Sequence, residues 1–294
     1  MTTLKILTWN TDLSPSMYDR IKRKNELLAR IGTYNGNYDV LCFQELTSFA
    51  VGFITYSIYS RFSSLFNKNP WLLCLWDYLM ITEGSIYPYR YIDNQGDVID
   101  IAKSLGYEHS IRSQLPKRYI NSGLVILSRF PISNKRIFFP PHDMIHRPST
   151  ILAELDVHGK TVHIGSSYFV PDLHEPKPTY ALCNIINFIC GKNPRQLRHN
   201  HLCMIRDNIR GKRVILVGDF NITRGKSEYS RMLETLELSD ACRQEVGTFR
   251  GFFNNHNQID YILISDNIVN LGAHVDHKEH ISDHYPLHAE LELI

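Results

Sequence analysis

The chain has 294 residues, enough for one large core or two small ones, and its 43% hydrophobic, 21% charged and 11% aromatic content excludes a disordered or low-complexity protein. A formal net charge of +2 excludes a global field of the kind that coats nucleic acid, although a local basic patch would still serve a phosphate substrate. Six cysteines with neither a CxxC pair nor zinc-finger spacing exclude a small zinc module, and free thiols suit a reducing compartment.

The first ten residues, MTTLKILTWN, run straight into a strand pattern at 5–8. They carry no long apolar stretch and no small-residue cleavage site, so a cleaved signal peptide is not expected and an intracellular protein is. Apolar residues at 21, 27, 28 and 31, with basic residues on the other face, predict a helix over 19–31 that ends at Gly32. A strand follows at 40–43.

Residues 49–95 form an unusually aromatic insertion. It reads either as core-packed helices or as a lid or apolar surface that makes peripheral contact with a lipid membrane or a partner. Its densest apolar run, 71–81, is interrupted by Asp77 and is too short to span a bilayer, which needs about 20 residues. Further strands are predicted at 124–127, 150–155, 161–165, 214–217, 261–264 and 287–293, with a tight hairpin turn at 157–160 and helices at 180–190 and 227–236. Strands and helices mix throughout without repeats or a linker, which predicts a layered α/β arrangement in a single domain over 1–294. A monomer is expected.

Short polar clusters flank these runs: Thr8-Trp9-Asn10, Gln44-Glu45, Asn121-Ser122-Gly123, Gly218-Asp219-Phe220-Asn221, Ile259-Asp260-Tyr261 and Ser282-Asp283-His284. Strand ends gather at one rim of a sheet, so such groups can converge although far apart in sequence. Glu45, Asp219 and Asp283 offer hard oxygen ligands, with amide oxygens from Asn10 and Asn221. That set favours Mg²⁺, with Mn²⁺ as the alternative, over zinc. His284 can accept a proton from water near neutral pH, and Asp260 could fix its tautomer. Any one cluster alone is an ordinary turn or cap; their combination carries the signal.

TWN, QE, NSGLVILSRFPI, GDFN, IDYIL and SDHYPL stand in the order seen in the endonuclease/exonuclease/phosphatase superfamily, and over residues 4–293 the chain resembles that family of DNase I-like nucleases, inositol-phosphate phosphatases and neutral sphingomyelinases. The resemblance implies a four-layer α/β sandwich, two central mixed β-sheets flanked by helices, with the site at one end of the sheets. It also implies a metal-dependent hydrolase of phosphoric esters. Asn10 and Glu45 would belong to the metal site, with Glu45 the principal ligand and Asp283 supporting the metal or its waters. Asp219 would orient or activate water, and Asn221 would help hold the phosphate, with Asn121 nearby. His284 would be the catalytic histidine and Asp260 its partner.

One departure stands out. Many relatives end the strand corresponding to 161–165 with Thr-His-Leu, which places a second histidine in the site. Here Ser167 occupies that position if IGSS is matched to IGTH. Tyr168 takes the role if the match is to AYVP, and its phenol can also donate to a phosphate oxygen; Tyr168 is slightly favoured.

Among 14 histidines, His199 and His201 share no helix face, while His142, His146, His274, His277 and His280 read as surface. The basic stretches 192–198 and 206–213 read as solvated helix ends. Residues 218–241 and SDHYPL resemble bacterial sphingomyelinases, which with the apolar insertion tilts the substrate toward a phospholipid such as sphingomyelin. The alternatives are a DNA or RNA endonuclease or exonuclease, including an abasic-site or repair type, and a non-catalytic phosphate-binding member. The intact set Glu45, Asp219, Asn221, Asp283 and His284 argues against the last.

Overall fold

A computed structural model describes residues 2–13, 20–34, 36–47, 49–52, 88–113, 122–140, 148–171, 193–242, 247–250 and 256–294. In chain order the first half gives β1 (Thr2–Asn10), α1 (Arg20–Thr33), β2 (Val40–Gln44), β3 (Phe49–Gly52), β4 (Pro88–Ile92), α2 (Asn94–Ser104), β5 (His109–Arg112), β6 (Val125–Ser128) and β7 (Ile132–Phe138). The second half gives β8 (Ser149–Val157), β9 (Lys160–Tyr168), α3 (Pro194–Ile209), β10 (Val214–Asp219), α4 (Ser227–Leu236), β11 (Ser239–Asp240), β12 (Phe249–Arg250), β13 (His256–Asn257), β14 (Asp260–Ile264), β15 (Ile268–Val275) and β16 (Leu287–Leu293).

Two six-stranded mixed sheets carry the architecture, ordered β15-β16-β1-β2-β6-β5 and β11-β14-β10-β9-β8-β7. Within each, one pair is parallel, β1 with β2 and β9 with β10, and the other pairs are antiparallel. The inward faces meet in a core that includes Leu4, Ile6, Val40 and Cys42 from one sheet and Ile164, Ile215, Val217 and Ile262 from the other. The outward faces are also covered. Leu7, Trp9 and Phe43 pack with Leu27 and Ile31 of α1 and Val98 of α2, whereas Leu216 and Leu263 pack with Leu202 and Ile205 of α3 and Met232 of α4. Burial on both faces explains why the central strands read as continuous apolar runs instead of alternating ones. The result is the expected four-layer α/β sandwich.

Each strand expected from sequence forms. At 157–160 the chain reverses through His158 (φ 54°) and Gly159 (φ 82°), the two left-handed residues of a type I′ hairpin. The helices expected over 19–31 and 227–236 form as α1 and α4. The helix expected at 180–190 lies outside the described residues, as does most of the aromatic insertion. Its ends, β3 and β4, pair antiparallel. Among the described residues no helix is long and apolar enough to cross a membrane.

One expectation about a polar side chain is corrected, and one histidine left without a placement is found buried. Arg198 is not solvated: it is 1% exposed and makes paired 2.6 and 2.8 Å bonds to Glu228, tying α3 to α4. His201 is equally buried, because α3 turns that face onto the sheet. His274, His277 and His280 are exposed as expected, while His142 and His146 lie outside the described residues.

Candidate active site

The inter-sheet core ends in a polar layer because each central strand carries its inward-facing alternation to its last residue. On β1 the inward series Leu4, Ile6 and Thr8 ends at Asn10; on β2 Val40 and Cys42 lead to Gln44; on β10 Ile215 and Val217 lead to Asp219. Asp260 opens β14 directly opposite Asp219 in the antiparallel register. Gln44 Nε2 donates to Thr8 Oγ1 (3.0 Å) and, across the sheets, to Ser166 Oγ (2.9 Å). Asn10 Nδ2 donates to Glu45 Oε1 at 3.1 Å and to Asp219 Oδ2 at 3.0 Å.

Glu45 is the first residue after β2, where a continuing strand would send its side chain to the other face. A left-handed φ of 56° redirects it instead. The turn is held by Glu45 N–H donating to Ser122 O (2.9 Å) and Leu46 N–H donating to Gly123 O (3.1 Å). Gly123 has φ 62°, and a Cβ there would lie 2.2 Å from Leu46 N, so only glycine serves. At Gly218 the constraint is a close approach, since a Cβ would lie 2.0 Å from Ser167 O on β9.

His284 sits in the loop before β16. Its Nδ1 is 2.8 Å from Asp260 Oδ2, and its Nε2 faces Asn10 Nδ2 (3.5 Å) and Asp219 Oδ2 (4.0 Å). Trp9 Nε1 donates to His284 O (3.0 Å), and Ser282 Oγ donates to Asn10 O (2.8 Å), fastening this loop to β1. Thr248 Oγ1 accepts from the N–H groups of Ile259 and Asp260, and the Phe249 ring packs 4.8 Å from the imidazole.

Burial, then the neighbouring Asp260, pushes the Asp219 carboxyl well above the usual range. For His284, burial opposes the charged form, but Asp260, Asp283 and Asp219 outweigh it and raise the imidazole to about 10. Three buried carboxyl groups, Glu45, Asp219 and Asp260, thus crowd around one imidazole. Glu45 Oε2 and Asp260 Oδ1 are buried without a hydrogen-bond partner among the described residues. Buried charge of one sign with orphaned oxygens is costly unless a cation joins it, and hard oxygen donors suit a divalent ion. Asp219, Asp260 and His284 each bring a ligand atom within 4.8 Å of the others. The residues present therefore fit a metal.

The sequence profile of the Endonuclease/Exonuclease/phosphatase family matches residues 7–284. The chain belongs to this family. It is a metal-dependent hydrolase acting on phosphoric ester bonds. No curated protein sequence matches it. Among solved structures it is similar to an endonuclease/exonuclease/phosphatase from Beutenbergia cavernae (17% identity, 100% of this chain and 72% of that one, TM-score 0.65). It is also similar to sphingomyelinase C from Streptomyces griseocarneus (15% identity, 99% of both chains, TM-score 0.60). A third is a Staphylococcus aureus beta toxin mutant with bound magnesium ions (14% identity, 98% of this chain and 99% of that one, TM-score 0.61).

In this endonuclease/exonuclease/phosphatase domain the fold brings together Asn10, Glu45, Asp219, Asp260 and His284. Asn221, with φ 50°, donates its N–H to Asp219 Oδ1 (2.9 Å) and its Nδ2 to Phe169 O (2.9 Å), beside the cluster. Asp283 is half-buried next to the site, 3.4 Å from Ser282 Oγ. Tyr168 pairs in register with Asp219 and packs in the inter-sheet core, whereas Ser167 bonds to Thr150 on the opposite, helix-covered face. Asn121 lies outside the described residues. As placed, Asn10 turns its N–H groups to the carboxylates, and its Oδ1 accepts from Asp12 N–H (3.0 Å).

The supporting groups Trp9, Gln44, Ser166 and Thr248 had no role assigned from sequence. Trp9 and Gln44 stand inside recognised motifs, but nothing local marks Ser166 or Thr248. Chemically, a divalent cation bound here would polarise a phosphoryl oxygen and neutralise its charge. The chain's own groups would orient water at Asp219 and hold or move a proton at His284 Nε2, with Asp260 fixing the ring.

Proposed function

We propose that this enzyme is a Mg²⁺-dependent phosphodiesterase acting on a phospholipid such as sphingomyelin, by metal- and histidine-assisted water attack at phosphorus. The observation that carries the chemistry is the buried Glu45–Asn10–Asp219–His284–Asp260 cluster with its orphaned carboxylate oxygens. In this reading Glu45, Asn10 and Asp283 form the metal site, with a half-turn of the Asn10 amide presenting its oxygen. Asp219 activates water, Asn221 and Asn121 hold the phosphate, and Tyr168 supplies the second donor. What supports the lipid is similarity to sphingomyelinase C over 99% of both chains, together with the aromatic segment 49–95 as a membrane-contacting surface. The magnesium-bound beta toxin supports the choice of ion. Free thiols at Cys42 and Cys203 support a reducing, intracellular setting, and we take the enzyme to be a monomer.

The test is a Mg²⁺-dependent panel of sphingomyelin vesicles, single- and double-stranded DNA, RNA, abasic DNA and inositol phosphates, with His284→Ala as control. Preferential turnover of vesicles supports the lipid. Turnover of a nucleic acid with steep salt dependence would instead establish a nuclease and sink the lipid assignment.

A further inference from the structure

We propose that His201, on the helix-covered side of the second sheet, is a positioning residue that acts through Phe169 on the Asn221 amide. The proposal rests on the reading of Asn221 as a phosphate-holding residue. His201 is 1% exposed and never reaches the site, so it touches no reacting atom. Its ring lies nearly parallel to that of Phe169, with centroids 4.2 Å apart and planes inclined by 17°. Rotation of the imidazole is fixed by Nε2, which is 2.9 Å from Thr150 Oγ1; that hydroxyl is in turn 2.8 Å from Ser167 Oγ.

Phe169 stands one residue past β9 and joins two site residues through its main chain. Its N–H donates to Asp219 O (2.9 Å), and its carbonyl accepts from Asn221 Nδ2 (2.9 Å). A displacement of Phe169 therefore re-aims the amide that meets the phosphate. Packing alone does not call for a histidine here. Apart from Arg198, whose charge is matched by Glu228, the rest of the buried α3 face is Pro194, Leu202, Ile205 and Ile209, and a buried imidazole carries a desolvation cost that an apolar side chain would avoid. What the imidazole adds is a directional bond through Thr150 that locks the ring against which Phe169 stacks.

The test is a double-mutant cycle on the full chain, measuring the Kd for inorganic phosphate by calorimetry in Mg²⁺, with thermal unfolding of every variant recorded in parallel. Asn221→Ala should weaken binding about tenfold. His201→Phe keeps the stack and loses the Thr150 bond, and Thr150→Val loses the same bond from the other side. Each should weaken binding about three- to tenfold, yet add less than about twofold on the Asn221→Ala background. If His201→Phe does not fold, the Thr150→Val arm carries the same cycle. Wild-type affinity in a folded His201 or Thr150 variant, or effects that multiply in full with Asn221→Ala, would overturn the proposal. Unchanged binding in Asn221→Ala, or no phosphate binding by the wild type, would instead remove the Asn221 reading and this inference with it. A merely structural role would lower the unfolding midpoint while leaving the effects additive.

Discussion

His284 Nδ1 lies 2.8 Å from Asp260 Oδ2, and this contact joins the loop before β16 in one sheet to the first residue of β14 in the other. The two residues are 24 positions apart in sequence. The bond leaves Nε2 as the ring nitrogen that faces Asn10 and Asp219, so the proton-handling atom is chosen by a residue that does not itself meet the substrate.

Replacing His284 by Ala should lower kcat by about 10²- to 10⁴-fold while the fold persists. Asp260→Asn should cause a smaller loss, because the ring remains but its tautomer is no longer dictated. Steady-state rates in Mg²⁺ beside circular dichroism spectra check both; a folded His284→Ala protein with near-wild-type turnover would refute the assignment.

Glu45→Gln should separate metal binding from stability. Oε2 of Glu45 is buried near Asp219 with no hydrogen-bond partner among the described residues, so removing its charge should raise the unfolding temperature in EDTA. The same change should weaken Mg²⁺ activation by about 10- to 100-fold. The pair of measurements is a thermal melt in chelator and a metal titration of activity, and an unchanged titration midpoint would count against Glu45 as a ligand.

Acid should destabilise the protein through histidines held neutral by burial. Desolvation depresses His201 to about 3 and His288 to about 4. Below pH 6.5 the unfolded chain takes up protons that the folded chain refuses, so stability falls as pH drops from 6.5 toward those values and levels off beneath them. Each group should cost about 2 kcal/mol by pH 5. Urea midpoints of wild type and His201→Phe between pH 7 and pH 4 test this, and equal slopes in the two proteins would contradict it.

Gly218→Ala should destabilise by about 3 kcal/mol or more. A Cβ at that position would sit 2.0 Å from Ser167 O, on a backbone with φ 135°. Urea denaturation monitored by fluorescence provides the check. A loss below about 1 kcal/mol would mean β9 and β10 separate more easily than their close approach implies.

The strands, the hairpin at 157–160 and the motif residues at strand ends were legible in the sequence because each is a local pattern. A left-handed pair at a turn, a β-branched run and a polar residue closing an apolar series all arise within a few neighbouring residues. The order of the motifs was equally legible, and with it the family. What the sequence could not display is which face each residue takes and what it meets there. Arg198 read as part of a solvated helix end and nothing local placed His201, yet α3 buries both, one against Glu228 and the other against Phe169 and Thr150.

The chain's own sequence thus determined the metal-dependent phosphoesterase class, because its motifs stand in the order of the family they resemble and carry hard carboxylates and a histidine at successive strand ends. Only the tertiary structure decided that Ser167 faces away from the inter-sheet site while Tyr168 lies on the inward face beside Asp219. The physical reason is the two-residue period of a strand: a shift of one position exchanges the two faces, and only the packed sheets define which face is which.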